Sequence, residues 1–145
     1  MVTRISILGV AVVTVLGAAV VLAGEACATA SSAQTTQPSP VVLRVGETAS
    51  IAGLNVSVTF DAVRSDSRCP TDARCIRAGA AVVALRLRAS DAEAAELTAA
   101  VPPGGGTSET SGHYALHVVS LEPQTRGEVE IAQGDYRITV IVEER

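Results

Sequence analysis

Two cysteines separated by a short polar segment, Cys69 and Cys75, are the residues whose chemistry is easiest to define. In an oxidising compartment such a pair can form a disulfide, because a short loop lets the two Cα atoms approach to about 5.5 Å. By chain entropy a bridge of this length stabilises a fold by roughly 2–3 kcal/mol. The spacing is neither C-x-x-C nor a common zinc spacing. We therefore predict a structural disulfide, with a redox-active or metal-binding pair as the alternative.

The segment around this pair is rich in charge, which makes it the best candidate for a binding loop. Its charged residues are Asp66, Arg68, Asp72, Arg74 and Arg77. Charges are costly to bury, so the composition predicts an exposed loop in which the arginines neutralise the neighbouring carboxylates as surface pairs. Its basic residues could meet an anionic polymer or lipid headgroup, since loops on rigid scaffolds often carry recognition.

Signals for catalysis or metal binding are weak. His113 and His117 would lie about 13 Å apart on a strand, which is too far for one ion to bridge. The sequence contains no G-x-S-x-G elbow, and no pairing of nucleophile and base stands out. We predict no catalytic residue, no metal site and no cofactor.

The elements that must position the loop are indicated by composition. The chain has 145 residues and only 2% aromatic residues, which indicates one domain with a core of Val, Leu, Ile and Ala. The β-branched residues among these favour strands. A net charge of −4, with no cluster of basic residues, argues against nucleic acid as a partner.

Residues 1–30 have the pattern of a signal peptide or lipoprotein leader. A basic start precedes the uncharged apolar run 5–23, which is also just long enough to span a bilayer. Ala28-Thr29-Ala30 fits a signal-peptidase site, with a mature start at Ser31. Gly24-Glu25-Ala26-Cys27 resembles a lipoprotein site at which Cys27 would be lipidated. Lipid anchoring, cleavage and an uncleaved anchor stay open, and all three predict export.

Beyond a polar tether at residues 31–40, apolar residues occupy alternate positions. The clearest runs are 54–60, 83–87 and 136–142. Seven or so short strands separated by turn signals predict that residues 41–145 form one small antiparallel β-sandwich of immunoglobulin-like size. Two segments are less regular. Residues 90–100 fit a short capped helix or an edge strand, and we favour the strand. The strand from Tyr114 is expected to bulge, so that Val119 and Leu121 take the inward face.

The loop also carries a family resemblance. Asp66-Ser67-Arg68-Cys69-Pro70, four further residues, then Cys75-Ile76 and Ala78-Gly79 resemble the motif of a group of small bacterial exported or lipoprotein domains. That group has Trp where this chain has Arg77. The resemblance implies a secreted β domain with an internal bridge, and it implies no activity.

Together these observations predict a non-enzymatic, exported cell-envelope protein. We expect a monomer held at the outer face of the cytoplasmic membrane, or present in the periplasm or extracellular space, through Cys27 or its leader. The expected partner of the loop is an envelope protein or an anionic polymer. An inhibitor-like loop and a thiol-redox or metal-handling role for Cys69 and Cys75 are the alternatives.

Overall fold

The computed structural model describes residues 38–90 and 92–145. The predicted leader, the lipidation site Cys27 and most of the tether lie outside the described residues. Within those two ranges, no helix combines the length and the apolar character needed to cross a bilayer.

The described residues are almost entirely β-structure, as predicted. They form eight strands: β1 Val41–Arg44, β2 Thr48–Ser50, β3 Val56–Asp66, β4 Ala81–Ala89, β5 Ala95–Val101, β6 Thr107–Ser111, β7 Tyr114–Glu122 and β8 Arg137–Glu144. A single 3-10 turn, Gln133–Asp135, precedes β8.

The strands are arranged in two four-stranded antiparallel sheets, which confirms the predicted β-sandwich. One sheet has the order β2-β3-β4-β5, and the other has the order β1-β8-β7-β6. The chain therefore changes sheet twice, between β1 and β2 and between β5 and β6. Consecutive strands pair as hairpins within each sheet, and β1 completes the second sheet by pairing with β8.

The period-two pattern defines the core. Val58 and Phe60 of β3, Leu85 of β4, and Ile138 and Val140 of β8 are almost completely buried. Their neighbours along each strand are more exposed, because successive side chains point to opposite faces of a sheet. Full burial of each such side chain stabilises the fold by roughly 1.5–3 kcal/mol. This core is the rigid body on which the loops are mounted.

The two irregular segments both form strands. β5 pairs with β4 in a register that sets Leu97 opposite Leu85, so the strand was the correct alternative. β7 does bulge, with a register shift between Val118 and Ser120. The expectation that Val119 would face inward is wrong: it is 42% exposed, whereas Leu121 is fully buried. Val119 is the extra residue of the bulge, so its side chain is displaced from the core face.

Candidate functional site: the stapled-loop end

The predicted binding loop lies at the end of the sandwich where two long connections meet. We call residues 67–80, between β3 and β4, the stapled loop, and residues 123–136, between β7 and β8, the return loop. The Thr71 N–H donates to the Thr125 carbonyl over 2.9 Å, and the Gly127 N–H donates to the Asp72 carboxylate over 2.7 Å. These bonds hold the two loops side by side as one surface, the loop end.

Cys69 and Cys75 form the predicted disulfide, with their Cα atoms 5.9 Å apart. The base of the loop is also closed by main-chain bonds beyond the strands. The Ser67 N–H donates to the Ala80 carbonyl over 3.0 Å, and the Cys69 N–H donates to the Ala78 carbonyl over 2.7 Å. The loop is therefore restrained both by the bridge and by a continuation of the β3–β4 ladder.

Arg68 contradicts the expectation of an exposed loop charge, because it is only 3% exposed. Its Nη1 donates to the Leu121 carbonyl over 2.7 Å, and its Nη2 donates to the Pro123 carbonyl over 2.9 Å. Nε and Nη2 also bind the two oxygens of Asp66, over 2.9 and 2.6 Å. A guanidinium has five N–H donors in a fixed fork. Here a carboxylate and two carbonyls satisfy that fork, which offsets the cost of burying the charge.

Asp66 is the second member of this buried network. Its ion pair with Arg68 is buried, whereas a surface pair was predicted. Its side chain is 9% exposed, and it also accepts a 3.1 Å hydrogen bond from the Tyr136 hydroxyl. Burial raises the pKa of Asp66, but the hydrogen bonds and charge of Arg68 outweigh it, so the pKa lies below its usual value. Burial and then the charge of Asp66 raise the pKa of Tyr136 to about 12. The network thus joins the end of β3 to Tyr136, the last residue of the return loop before β8 of the other sheet.

Gly79 completes the base of the stapled loop for a steric reason. It has a φ of +67°, and a Cβ at this position would lie 1.7 Å from the Ser67 carbonyl oxygen. Only glycine has both the conformational freedom and the space needed here. The motif residues Asp66, Arg68, Cys69 and Gly79 therefore shape the loop end from within.

The tip of the loop is what remains available to solvent. Residues 71–78 are all exposed, and Asp72 is engaged with the return loop. Arg74 and Arg77 form no ion pair and no hydrogen bond with any described residue. Between them, Ile76 is fully exposed. Sequence reasoning missed Ile76, although a lone large aliphatic residue in a polar loop was a visible signal.

The return loop contributes two neighbouring clefts that sequence reasoning also missed. The first has a volume of about 500 Å³ and is lined by Glu122, Pro123, Gln124, Arg126, Val129 and Ile131. The second, of about 250 Å³, lies between the return loop and the end of β3. Beside it, the Gln133 amide accepts from the Val63 N–H over 3.0 Å and donates to the Val63 carbonyl over 2.6 Å. Gln133 thus satisfies the main-chain groups of Val63, which lies on β3 beyond its last pair with β2, Thr59–Thr48.

The two histidines lie away from the loop end. His113 is exposed in the β6–β7 turn. His117 bonds Ser108 through Nδ1 over 2.6 Å and lies 3.8 Å from Glu143. This serine–histidine–glutamate row lies on an open sheet face, where the β7 amides are committed to the ladders with β6 and β8. The geometry suits a cross-strand polar contact and supplies no pair of free N–H donors for an oxyanion.

Within residues 38–90 and 92–145, no group of three or more His, Cys, Asp or Glu side chains could hold a metal ion. The Cys69 and Cys75 sulfurs are joined to each other, so neither is a thiolate ligand while the bridge is intact. Neither a family model, nor a curated protein, nor a solved structure matches the chain. The loop end is therefore identified as the candidate site from its geometry alone.

Proposed function

We propose that the protein is an exported, non-enzymatic module of the cell envelope that recognises a partner through its stapled-loop end. The observation that carries this proposal is the contrast between a rigid base and an exposed tip. The disulfide, the Arg68 network and the main-chain bonds at the base restrain the loop, while residues 71–78 stay exposed. A loop that is ordered before binding loses less conformational entropy when it meets a partner.

Export and attachment form the first part of the proposal. They are supported by the leader pattern of residues 1–30 and by a disulfide, which persists in oxidising compartments. Cys27 or the leader would tether the sandwich to the membrane through the segment 31–40. Intact mass spectrometry of protein recovered from the envelope tests this part. A diacylglyceryl-Cys27 amino terminus, a start at Ser31 or a retained leader in the membrane fraction supports export, and a cytosolic chain with reduced cysteines contradicts it.

Recognition through the loop end is the second part. A photoreactive amino acid in place of Ala78 places a probe beside the tip without removing Ile76, Arg74 or Arg77. The same probe in place of Ala100, an exposed residue of β5, is the matched control. Irradiation of cells is expected to give discrete adducts from position 78 and none from position 100. Absence of adducts from position 78, or the same adducts from both positions, would remove the basis for this part.

Thiol exchange is the second candidate function, because Cys75 is exposed to solvent and so accessible to an attacking thiolate. Equilibration against glutathione or dithiothreitol buffers separates the two functions. A structural bridge is expected to have a reduction potential below about −300 mV, whereas a value near −200 mV or higher would favour exchange.

A further inference from the structure

The Ile76 side chain projects into solvent and packs against no other residue. It is the most exposed of the large hydrophobic side chains among the described residues, and the disulfide at Cys75 holds its neighbour in the chain. A single aliphatic side chain on a rigid loop is suited to fill one pocket, as the buried anchors of protein interfaces do. An anionic polymer would engage the flanking arginines but would leave Ile76 in water.

The loop end also contains a cleft that could accept such a side chain. The cleft of about 500 Å³ beside the stapled loop is lined by apolar surface from Pro123, Val129 and Ile131. Val129 is 73% exposed, so the cleft is unfilled, and Ile76 of its own chain does not occupy it. An isoleucine and its adjoining main chain can fit a cleft of this size.

The charged residues around Ile76 are mainly basic, whereas those around the cleft are mainly acidic. The tip carries Arg74 and Arg77, and its one acid, Asp72, accepts a hydrogen bond from the Gly127 N–H. The β7 end and the return loop carry the exposed acids Glu122, Glu128, Glu130 and Asp135 against one arginine, Arg126. None of these three glutamates is ion-paired with a described residue. Juxtaposed charges of opposite sign favour association and fix its register.

From this complementarity we propose that the partner of the loop end is a second copy of this chain. Ile76 of each copy inserts into the Val129–Ile131 cleft of the other, with the arginines facing the glutamates. Ile76 and the cleft lie at the same end of the molecule. A two-fold axis can therefore place Ile76 of each copy in the cleft of the other, as in isologous dimers. The inference rests on the proposed function, because it names the partner of that same surface, and it replaces the expected monomer.

A bilayer surface fits the tip less well than a second copy does. Proteins that bind a bilayer interface present several apolar or aromatic side chains, and even a whole myristoyl chain gives only marginal binding. Ile76 alone offers much less apolar surface.

A dimer formed through two loops buries a small area and is therefore weak in solution. Confinement of both copies to one membrane would raise their effective concentration and favour pairing.

Charge reversal gives a sharp test on the protein purified from the envelope with its own amino terminus, in mild detergent. Arg74→Glu/Arg77→Glu makes both tip and cleft rim acidic, and Glu122→Arg/Glu128→Arg makes both basic. Each variant alone is expected to sediment as a monomer. An equimolar mixture has opposite charges at both contacts and is expected to associate as tightly as the unmodified protein. A mixture that stays monomeric where the unmodified protein dimerises would overturn the proposal.

Ile76→Ser tests the anchor and is not expected to affect folding, because the side chain touches nothing. The dimer loses two anchors, so its dissociation constant is expected to rise at least about a hundredfold. Val42→Ser, at an apolar residue on β1 that is 57% exposed, is expected to change it by less than about twofold. An unmodified protein that is monomeric at millimolar concentration, or a dimer indifferent to Ile76→Ser, would overturn the proposal.

Cross-linking from position 78 and flotation on vesicles distinguish failure of the dimer from failure of the proposed recognition surface. Adducts from position 78 to a different protein, or Ile76-dependent flotation of monomers on phosphatidylglycerol vesicles, would overturn the dimer and leave the loop end as a recognition surface. A monomer that gives no adduct from position 78 would overturn both proposals. A self-adduct from position 78, lost with Ile76→Ser, supports both.

Discussion

The Arg68 guanidinium donates a 2.7 Å hydrogen bond to the main-chain carbonyl of Leu121, a residue 53 positions away on the opposite sheet. Its second terminal nitrogen reaches the Pro123 carbonyl. Leu121 is the penultimate residue of β7, and Pro123 is the first residue of the return loop. A side chain from the stapled loop therefore terminates a strand of the other sheet, and the loop end depends on both sheets being assembled.

Arg68→Met is expected to be strongly destabilising, because it leaves Asp66 buried without its cation. Removing one partner of a buried pair costs about 3–5 kcal/mol. The double variant Asp66→Ala/Arg68→Met should lose less than the sum of the two single variants, since no unpaired charge remains. Urea unfolding monitored by circular dichroism measures all three free energies. Arg74→Met, at an exposed position, should change stability by less than about 0.5 kcal/mol, and an equal loss for Arg74 and Arg68 would contradict the network.

Acid should weaken the fold through Asp66. Its pKa is lower in the folded protein than in the unfolded chain, so the ionised carboxylate stabilises the fold above the unfolded value of about 3.9. That contribution is lost as the pH falls from there through the folded pKa. Urea midpoints measured between about pH 5 and pH 2 should fall more steeply for the unmodified protein than for Asp66→Asn. Parallel curves would show that Asp66 has no depressed pKa.

Alkali should weaken the fold through Tyr136. The folded pKa of about 12 exceeds the ordinary value of about 10, so the neutral phenol stabilises the fold below pH 10. The contribution, on the order of 2 kcal/mol, is lost as the pH rises from about 10 to about 12. Spectrophotometric titration near 295 nm should resolve a late-titrating tyrosine that is absent in Tyr136→Phe.

Gly79→Ala should disrupt the base of the stapled loop. The new Cβ would meet the Ser67 carbonyl oxygen at 1.7 Å, so main chain must move. Gly46→Ala is a matched control, because Gly46 also has a positive φ, of +84°, but a Cβ there has nothing within 4 Å. We expect Gly46→Ala to cost about 1–2 kcal/mol for the backbone conformation alone and Gly79→Ala to cost at least about 2 kcal/mol more. Equal unfolding free energies for the two variants would refute the close approach.

Replacing both Cys69 and Cys75 with Ala should lower the unfolding free energy by roughly 2–3 kcal/mol, because the unfolded chain gains the entropy that the loop closure removed. The Arg68 network should survive, so the far-ultraviolet spectrum of the folded state should be unchanged. Thermal and urea unfolding of the double variant, compared with the oxidised parent, measure the loss. Unchanged stability together with lost loop-dependent adducts would favour thiol chemistry over a structural bridge.

Local sequence was sufficient for the frame of the molecule. The alternation of Val58 and Phe60, or of Ile138 and Val140, predicted half-buried strands because in a sandwich each residue faces either the core or the solvent. The short spacing of Cys69 and Cys75 predicted their bridge for an equally local reason. The inward assignment of Val119 failed, because a bulge changes the parity of the strand and its position depends on pairing with β8.

What the sequence by itself determined was the alternation of strands and the bridged polar loop, since both follow from neighbours a few residues apart. Only the tertiary structure decided that Arg68 is buried while Ile76 is exposed. Arg68 can lie inside because Leu121 and Pro123, far along the chain, offer it carbonyls, and Gln133 reaches Val63 across 70 positions. Composition shows how many polar groups a loop contains. Where their partners lie depends on how the two sheets are assembled.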